Sequence, residues 1–63
     1  STIEIVAQIN GKIKARLNIA ADITAADAIA LAKSDAAIAA EITGKTVVKE
    51  LYVPKKLVNI VVK

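Results

Sequence analysis

Gln8-Ile9-Asn10-Gly11-Lys12-Ile13-Lys14-Ala15-Arg16 is the stretch from which the rest of this chain can be read. Two alternating runs meet there at an Asn-Gly pair. Asn-Gly is the favoured centre of a two-residue type I′ turn, because both central residues need positive φ. Upstream, Ile3, Ile5, Ala7 and Ile9 alternate with Glu4, Val6 and Gln8, the signature of a half-buried strand. Downstream, odd positions from Ile13 to Ile19 are apolar and even positions are polar. A period of two places Lys12, Lys14 and Arg16 on one face, successive cations about 7 Å apart, and Ile13, Ala15 and Leu17 on the other. The expectation is a hairpin with one buried face and a basic stripe toward solvent. Such a stripe suits a polyanion.

The period changes at Asp22-Ile23-Thr24. Thr24 is a good helix N-cap, with Asp27 three residues on as a shorter version of the capping-box acid. Ala25 to Lys33 is expected to be helical, with Ile29 and Leu31 toward the sheet. Ser34 or Asp35 can cap a second short helix through Ile42, in which Ile38 and Ile42 stand at i, i+4 spacing. One bent helix is the alternative. Gly44 fits the left-handed position that ends a helix. Thr46 to Val53 and Leu57 to Val62 return to β-branched residues, divided by Pro54, which cannot donate to a ladder. In the last run Val58, Ile60 and Val62 share one face, while Leu57, Asn59 and Val61 share the other, assigned to the open side of the sheet. Tyr52 is read as a half-buried packing residue. The whole reads as an α+β fold of order ββααββ. Two β-hairpins flank a helical segment, and one four-stranded sheet carries the helices on one face. Residues 1–63 then make a single small domain.

Composition narrows the chemistry. A chain of 63 residues buries only about 60% of its unfolded surface, so its core is expected to be thin. Cys, His, Phe, Met and Trp are all absent, and Tyr52 is the only aromatic residue. Without Cys or His there is no nucleophilic triad, no thiolate metal site and no HExxH zinc site. Two glycines cannot supply a GxGxxG or P-loop phosphate cradle. Asp22, Asp27 and Asp35 are explained by helix N-termini, where the dipole and unpaired N–H groups favour a carboxylate. No apolar run reaches the roughly 18 residues of a membrane span, and Ser1-Thr2-Ile3-Glu4 lacks the features of a signal peptide. The default expectation is a soluble, cytoplasmic protein with no membrane partner.

Charge is segregated along the chain. Residues 20–44 hold Asp22, Asp27, Asp35 and Glu41 against Lys33, whereas the flanks hold eight bases and two acids. Polyanions should approach the flanks, because long-range fields steer charged ligands. The candidate phosphate contacts are Lys12, Lys14 and Arg16, with Lys45, Lys49, Lys55 and Lys56 as helpers. The stacking aromatics that serve unpaired bases are missing. Folded RNA, read by backbone and shape, is the better match.

Longer stretches are more specific than their chemistry. Val6-Ala7-Gln8-Ile9-Asn10-Gly11-Lys12-Ile13-Lys14-Ala15-Arg16-Leu17, then Gly44-Lys45-Thr46-Val47-Val48-Lys49, then Tyr52-Val53-Pro54-Lys55-Lys56-Leu57-Val58-Asn59-Ile60-Val61-Val62 together resemble the extreme C-terminal domain of bacterial leucyl-tRNA synthetases. The resemblance runs from about Ile5 to Lys63. It implies a small, flexibly tethered appendage that contacts the tRNA elbow, where the D and TψC loops meet, and supports leucylation of tRNA(Leu). It also implies that ATP and magnesium are used elsewhere in the parent ligase. The HIGH and KMSKS signatures cannot occur in a chain without His or Met, so this piece is expected to be catalytically inert and free of cofactors.

The chain departs from that family at several places. Its usual Pro-Gly-Lys turn reads Pro54-Lys55-Lys56, so Lys55 implies a type I turn or some strain. Glu50 stands where an apolar residue is common, and Val48 where a base is common. Ala36, Ala37, Ala39 and Ala40 fill helix positions that often carry charge or bulk. Thirteen alanines lie between Ala7 and Ala40. The rival reading is therefore an alanine-simplified or redesigned scaffold of this domain, able to self-associate and without RNA binding.

Overall fold

A computed structural model describes all residues, Ser1–Lys63. The elements are β1 (Thr2–Ile9), β2 (Lys12–Ala20), α1 (Ala25–Ser34), α2 (Ala36–Ile42), β3 (Val47–Val53) and β4 (Leu57–Val62). They form the ββααββ arrangement expected, with one four-stranded sheet in the order β2-β1-β4-β3. Each hairpin is antiparallel, and the two hairpins join through a parallel pairing of β1 with β4. Parallel neighbours need a long crossover. Here the chain returns through β2, both helices and β3 before β4 is laid beside β1.

The covered face of the sheet is aliphatic. Ile5, Ala7, Ile9, Ile19, Val58, Ile60 and Val62 are buried there against Ala28 and Ala32 of α1 and Ile38 of α2. The alternation of β1 and β4 puts one residue in two into this core, as their sequence period requires. Ten buried residues in a chain of 63 make a thin core, so each buried methyl group matters.

The helix ends obey local rules. The Asp27 N–H donates to Thr24 Oγ1 at 3.2 Å, which makes Thr24 the N-cap of α1. Asp35 resolves the earlier choice: its Oδ2 accepts from Ala37 N–H at 3.0 Å and Ile38 N–H at 3.4 Å, so it caps α2. Gly44 follows α2 at φ +79, a left-handed position that glycine occupies without penalty.

Two expectations about packing fail. Leu31 is 46% exposed; α1 instead turns Ala28 and Ala32 inward. An i, i+4 pair of alanines lets the helix approach the sheet more closely than leucine would, and the core space is already filled by isoleucines. Ile13 is 59% exposed, not buried. The register of β2 explains this.

Candidate nucleic-acid interface

The Asn10-Gly11 turn forms as read, with φ +52 and +82 at its two residues. Pairing then runs Ile9 with Lys12 and Gln8 with Ile13, but next Ala7 with Ala15. Lys14 is the extra residue of a β-bulge. One inserted residue reverses the face of everything on one side of it. Directly paired residues share a face, so Lys12 lies with Ile9 on the covered side and Ile13 with Gln8 on the open side. Arg16 pairs with Val6 and lies on the open side.

The continuous stripe of Lys12, Lys14 and Arg16 therefore does not exist. Lys14 reaches toward the helices, its Nζ 4.0 Å from Glu41 Oε1 on α2. A second ion pair, Lys33 with Glu50, joins α1 to β3. It accounts for the acid at a strand position where an apolar residue was expected. The two pairs tie the helical layer to the two outer strands, β2 and β3, one on each side.

What the sheet presents to solvent is its open face. Across its middle run Arg16, Val6, Leu57 and Val53; beside them run Ile13, Gln8, Asn59 and Leu51. Lys49 pairs with Val61 and lies on this face too. Arg16 and Lys49 thus stand on opposite outer strands, roughly 20 Å apart by strand geometry. Each would meet a separate part of an extended ligand. Glu4, paired with Asn18 at the far end, is the acid on this face.

The remaining candidates sit at turns, all exposed. Lys45 follows Gly44 and donates its N–H to the Ile42 carbonyl at 2.9 Å. It lies near Lys63, whose backbone exchanges two hydrogen bonds with Thr46. Lys12 is at this same end of the sheet. Lys55 and Lys56 occupy the β3–β4 turn, at the other end of β4. Lys56 N–H donates to Val53 C=O at 3.0 Å, and Lys55 has φ +63. A positive φ at the third turn residue belongs to type II, so the backbone keeps the glycine geometry with a lysine in it. Of the two options in the sequence reading, strain is the one observed.

The sequence does not show that two amides meet at the centre of the open face. Gln8 and Asn59 are direct partners across the parallel pairing, with Asn59 Oδ1 accepting the Gly11 N–H at 3.0 Å. Only the strand order makes them neighbours, and no local signal encodes it. Asn59 does lie on the open side, and Tyr52 is half-buried against the core, both as read. No group of three or more acidic, His or Cys residues is placed to hold a metal ion. No helix is long and apolar enough to cross a membrane.

No model of a known protein family matches the chain. Among solved structures, the chain is similar to one in the crystal structure of the ternary complex of Agrobacterium radiobacter K84 agnB2 LeuRS, tRNA and LeuAMS. The TM-score is 0.93 at 22% sequence identity, over 98% of this chain and 8% of that one. The present chain thus spans a small fraction of that protein's length. A likeness this complete in space and this low in identity establishes the fold.

Proposed function

We propose that this chain is a tRNA-binding appendage of a cytoplasmic leucyl-tRNA synthetase, catalytically inert alone, which holds the tRNA elbow while other domains leucylate tRNA(Leu). The observation that carries this reading is that Lys14 and Lys33, on the helical side, are paired with acids, whereas Arg16 and Lys49 on the open face and the turn lysines Lys45, Lys55 and Lys56 are in no ion pair. Asp27, Asp35 and Glu41 belong to the helical layer, where Lys14 pairs with Glu41 and Lys33 with Glu50, so both cations are held by acids. Arg16 and Lys49 stand on the open face against one acid, Glu4, with Lys55 and Lys56 on a turn at its edge and Lys45 at the other end of the sheet, whereas Lys12 lies on the covered side. A polyanion is repelled from the first layer and drawn to the second. The structural likeness to a LeuRS chain from a complex containing tRNA supports tRNA as the partner.

In this reading Arg16 and Lys49 take backbone phosphates on two sides of a neutral middle row, Val6, Leu57 and Val53. Arginine adds a planar fork suited to two phosphate oxygens, and lysine a point charge. These contacts are blind to sequence, so the domain adds affinity without choosing leucine tRNA. A flexible tether to the synthetase raises the local concentration of each partner, so weak contacts suffice. ATP and magnesium serve the parent ligase and have no place in this piece.

The test is a tRNA titration at rising salt. Engagement of roughly three to five phosphates predicts a slope of log K against log salt of about −2 to −4, alike for leucine and non-leucine tRNA. A flat slope would overturn the reading.

The second reading, an alanine-simplified scaffold, is favoured by the exposure of Ala25, Ala26, Ala30, Ala36, Ala37 and Ala40 on the helices. Sedimentation separates the two. A dimer without measurable tRNA affinity would establish the scaffold reading.

A further inference from the structure

We propose that Asn10-Gly11 is a latent deamidation site which the fold keeps closed by docking the β1–β2 turn onto β4. The chemistry is intrinsic to the dipeptide. The Gly11 backbone nitrogen, once deprotonated by solvent base, can attack Asn10 Cγ. The new N–Cγ bond forms as the Cγ–Nδ2 bond breaks, and ammonia leaves. Water then opens the five-membered imide at either carbonyl, leaving aspartate or isoaspartate at position 10. Glycine permits this attack because no side chain shields its nitrogen. Nothing lies within 4 Å of where a Gly11 Cβ would be, and both turn residues are exposed to the water required.

The fold engages both reacting groups elsewhere. The nucleophilic nitrogen donates its hydrogen to Asn59 Oδ1 at 3.0 Å. The electrophilic carboxamide is held by its oxygen, with Asn10 Oδ1 accepting from Val62 N–H at 2.9 Å. The Asn10 N–H in turn donates to the Ile60 carbonyl at 3.0 Å. All three partners lie on β4, so separation of this turn from β4 frees nucleophile and electrophile together. Asn18 and Asn59 are internal controls: each is mid-strand and precedes a branched isoleucine. Once formed, isoaspartate adds a methylene to the main chain and destroys the I′ turn. Either product puts a carboxylate at the end of the sheet that holds Lys12, Lys45 and Lys63.

The experiment follows the mass gain of amide-to-carboxyl conversion in the whole chain at mildly alkaline pH, folded and in urea, with fragmentation to locate the site. Conversion at Asn10 should be more than about tenfold slower in the folded chain, since it proceeds only through local opening. Equal rates, or conversion first at Asn18 or Asn59, overturn the proposal. N59V keeps a strand-compatible side chain and removes the acceptor. In the folded state it should react about two- to tenfold faster than the parent, the range one hydrogen bond supplies. N59D keeps an acceptor and should stay protected. A folded N59V with the parent's rate overturns the proposal. Native-state hydrogen exchange gives an independent check that needs no variant. The protection factor of the Gly11 amide should match the slowing of deamidation, and an unprotected Gly11 amide contradicts it.

Discussion

The two faces of the sheet come from the same four strands, yet one is packed under the helices and the other is left open to solvent. On the covered side Ile5, Val58 and Ile60 are at most 1% exposed and pack against both helices. On the open side Val6, Leu57 and Val61 are half-buried, Leu51 is 45% exposed, and Arg16 and Lys49 mark the outer strands. With so thin a core the covered side has no buried residue to spare, and the open face is the side that folding leaves free.

A matched pair of truncations should separate the two faces most strongly. Ile60→Ala should cost about 3 kcal/mol, a large-to-small change with little room for relaxation. Leu51→Ala, one residue across the ladder and on the other face, should cost less than about 1 kcal/mol. Urea unfolding of both measures the contrast; similar midpoints would mean the open side is covered in solution. For a domain this small the first value is a large part of total stability, so Ile60→Ala should be substantially unfolded.

The β3–β4 turn can be altered without changing either face. Lys55 at φ +63 holds a left-handed conformation that costs a non-glycine residue about 1–2 kcal/mol. Lys55→Gly should recover about 1 kcal/mol, raising Tm by about 4–8 °C in a calorimetric scan. An unchanged or lower Tm would show that Lys55 relaxes out of that conformation. The smallest effect is expected at the clasp between α2 and β2. Glu41→Gln frees Lys14 from its partner and should shift stability by less than about 0.5 kcal/mol. It should also raise tRNA affinity about twofold, because an acid is removed from beside a cation. A fall in affinity would place Glu41 in the interface.

Local signals in the sequence were strong where one residue type suits one backbone conformation. Asn10-Gly11 marked the I′ turn, Thr24 the first helix N-cap, Gly44 the helix end and Pro54 the second turn, while the second N-cap was narrowed to Ser34 or Asp35 and only the structure assigns it to Asp35. The apolar alternation of β1 and β4 marked the core. Three features were illegible for physical reasons. The bulge at Lys14 leaves no mark, because polar and apolar residues alternate without interruption from Lys12 to Ile19 and no glycine signals the extra residue. The basic stripe therefore looked continuous and is not. The helix rotation was hidden because hydrophobicity ranks Leu31 above Ala28 and Ala32, whereas close helix–sheet approach selects the smaller side chain. Strand order, and with it the pairing of Gln8 with Asn59, is set by the whole chain and by no segment of it.

The bulge divides cations that the sequence presents as equivalent, so the proposed open-face contacts can be tested directly. The decisive measurement is the salt slope of tRNA binding for two double variants with the same loss of charge. Arg16→Gln with Lys49→Gln removes both open-face cations. Lys12→Gln with Lys14→Gln removes two from the covered side. The first pair should weaken binding about tenfold or more and lower the slope by about 1 to 2, while the second should change the slope by less than about 1. Equal losses, or a larger loss from Lys12 and Lys14, would contradict the open-face contacts.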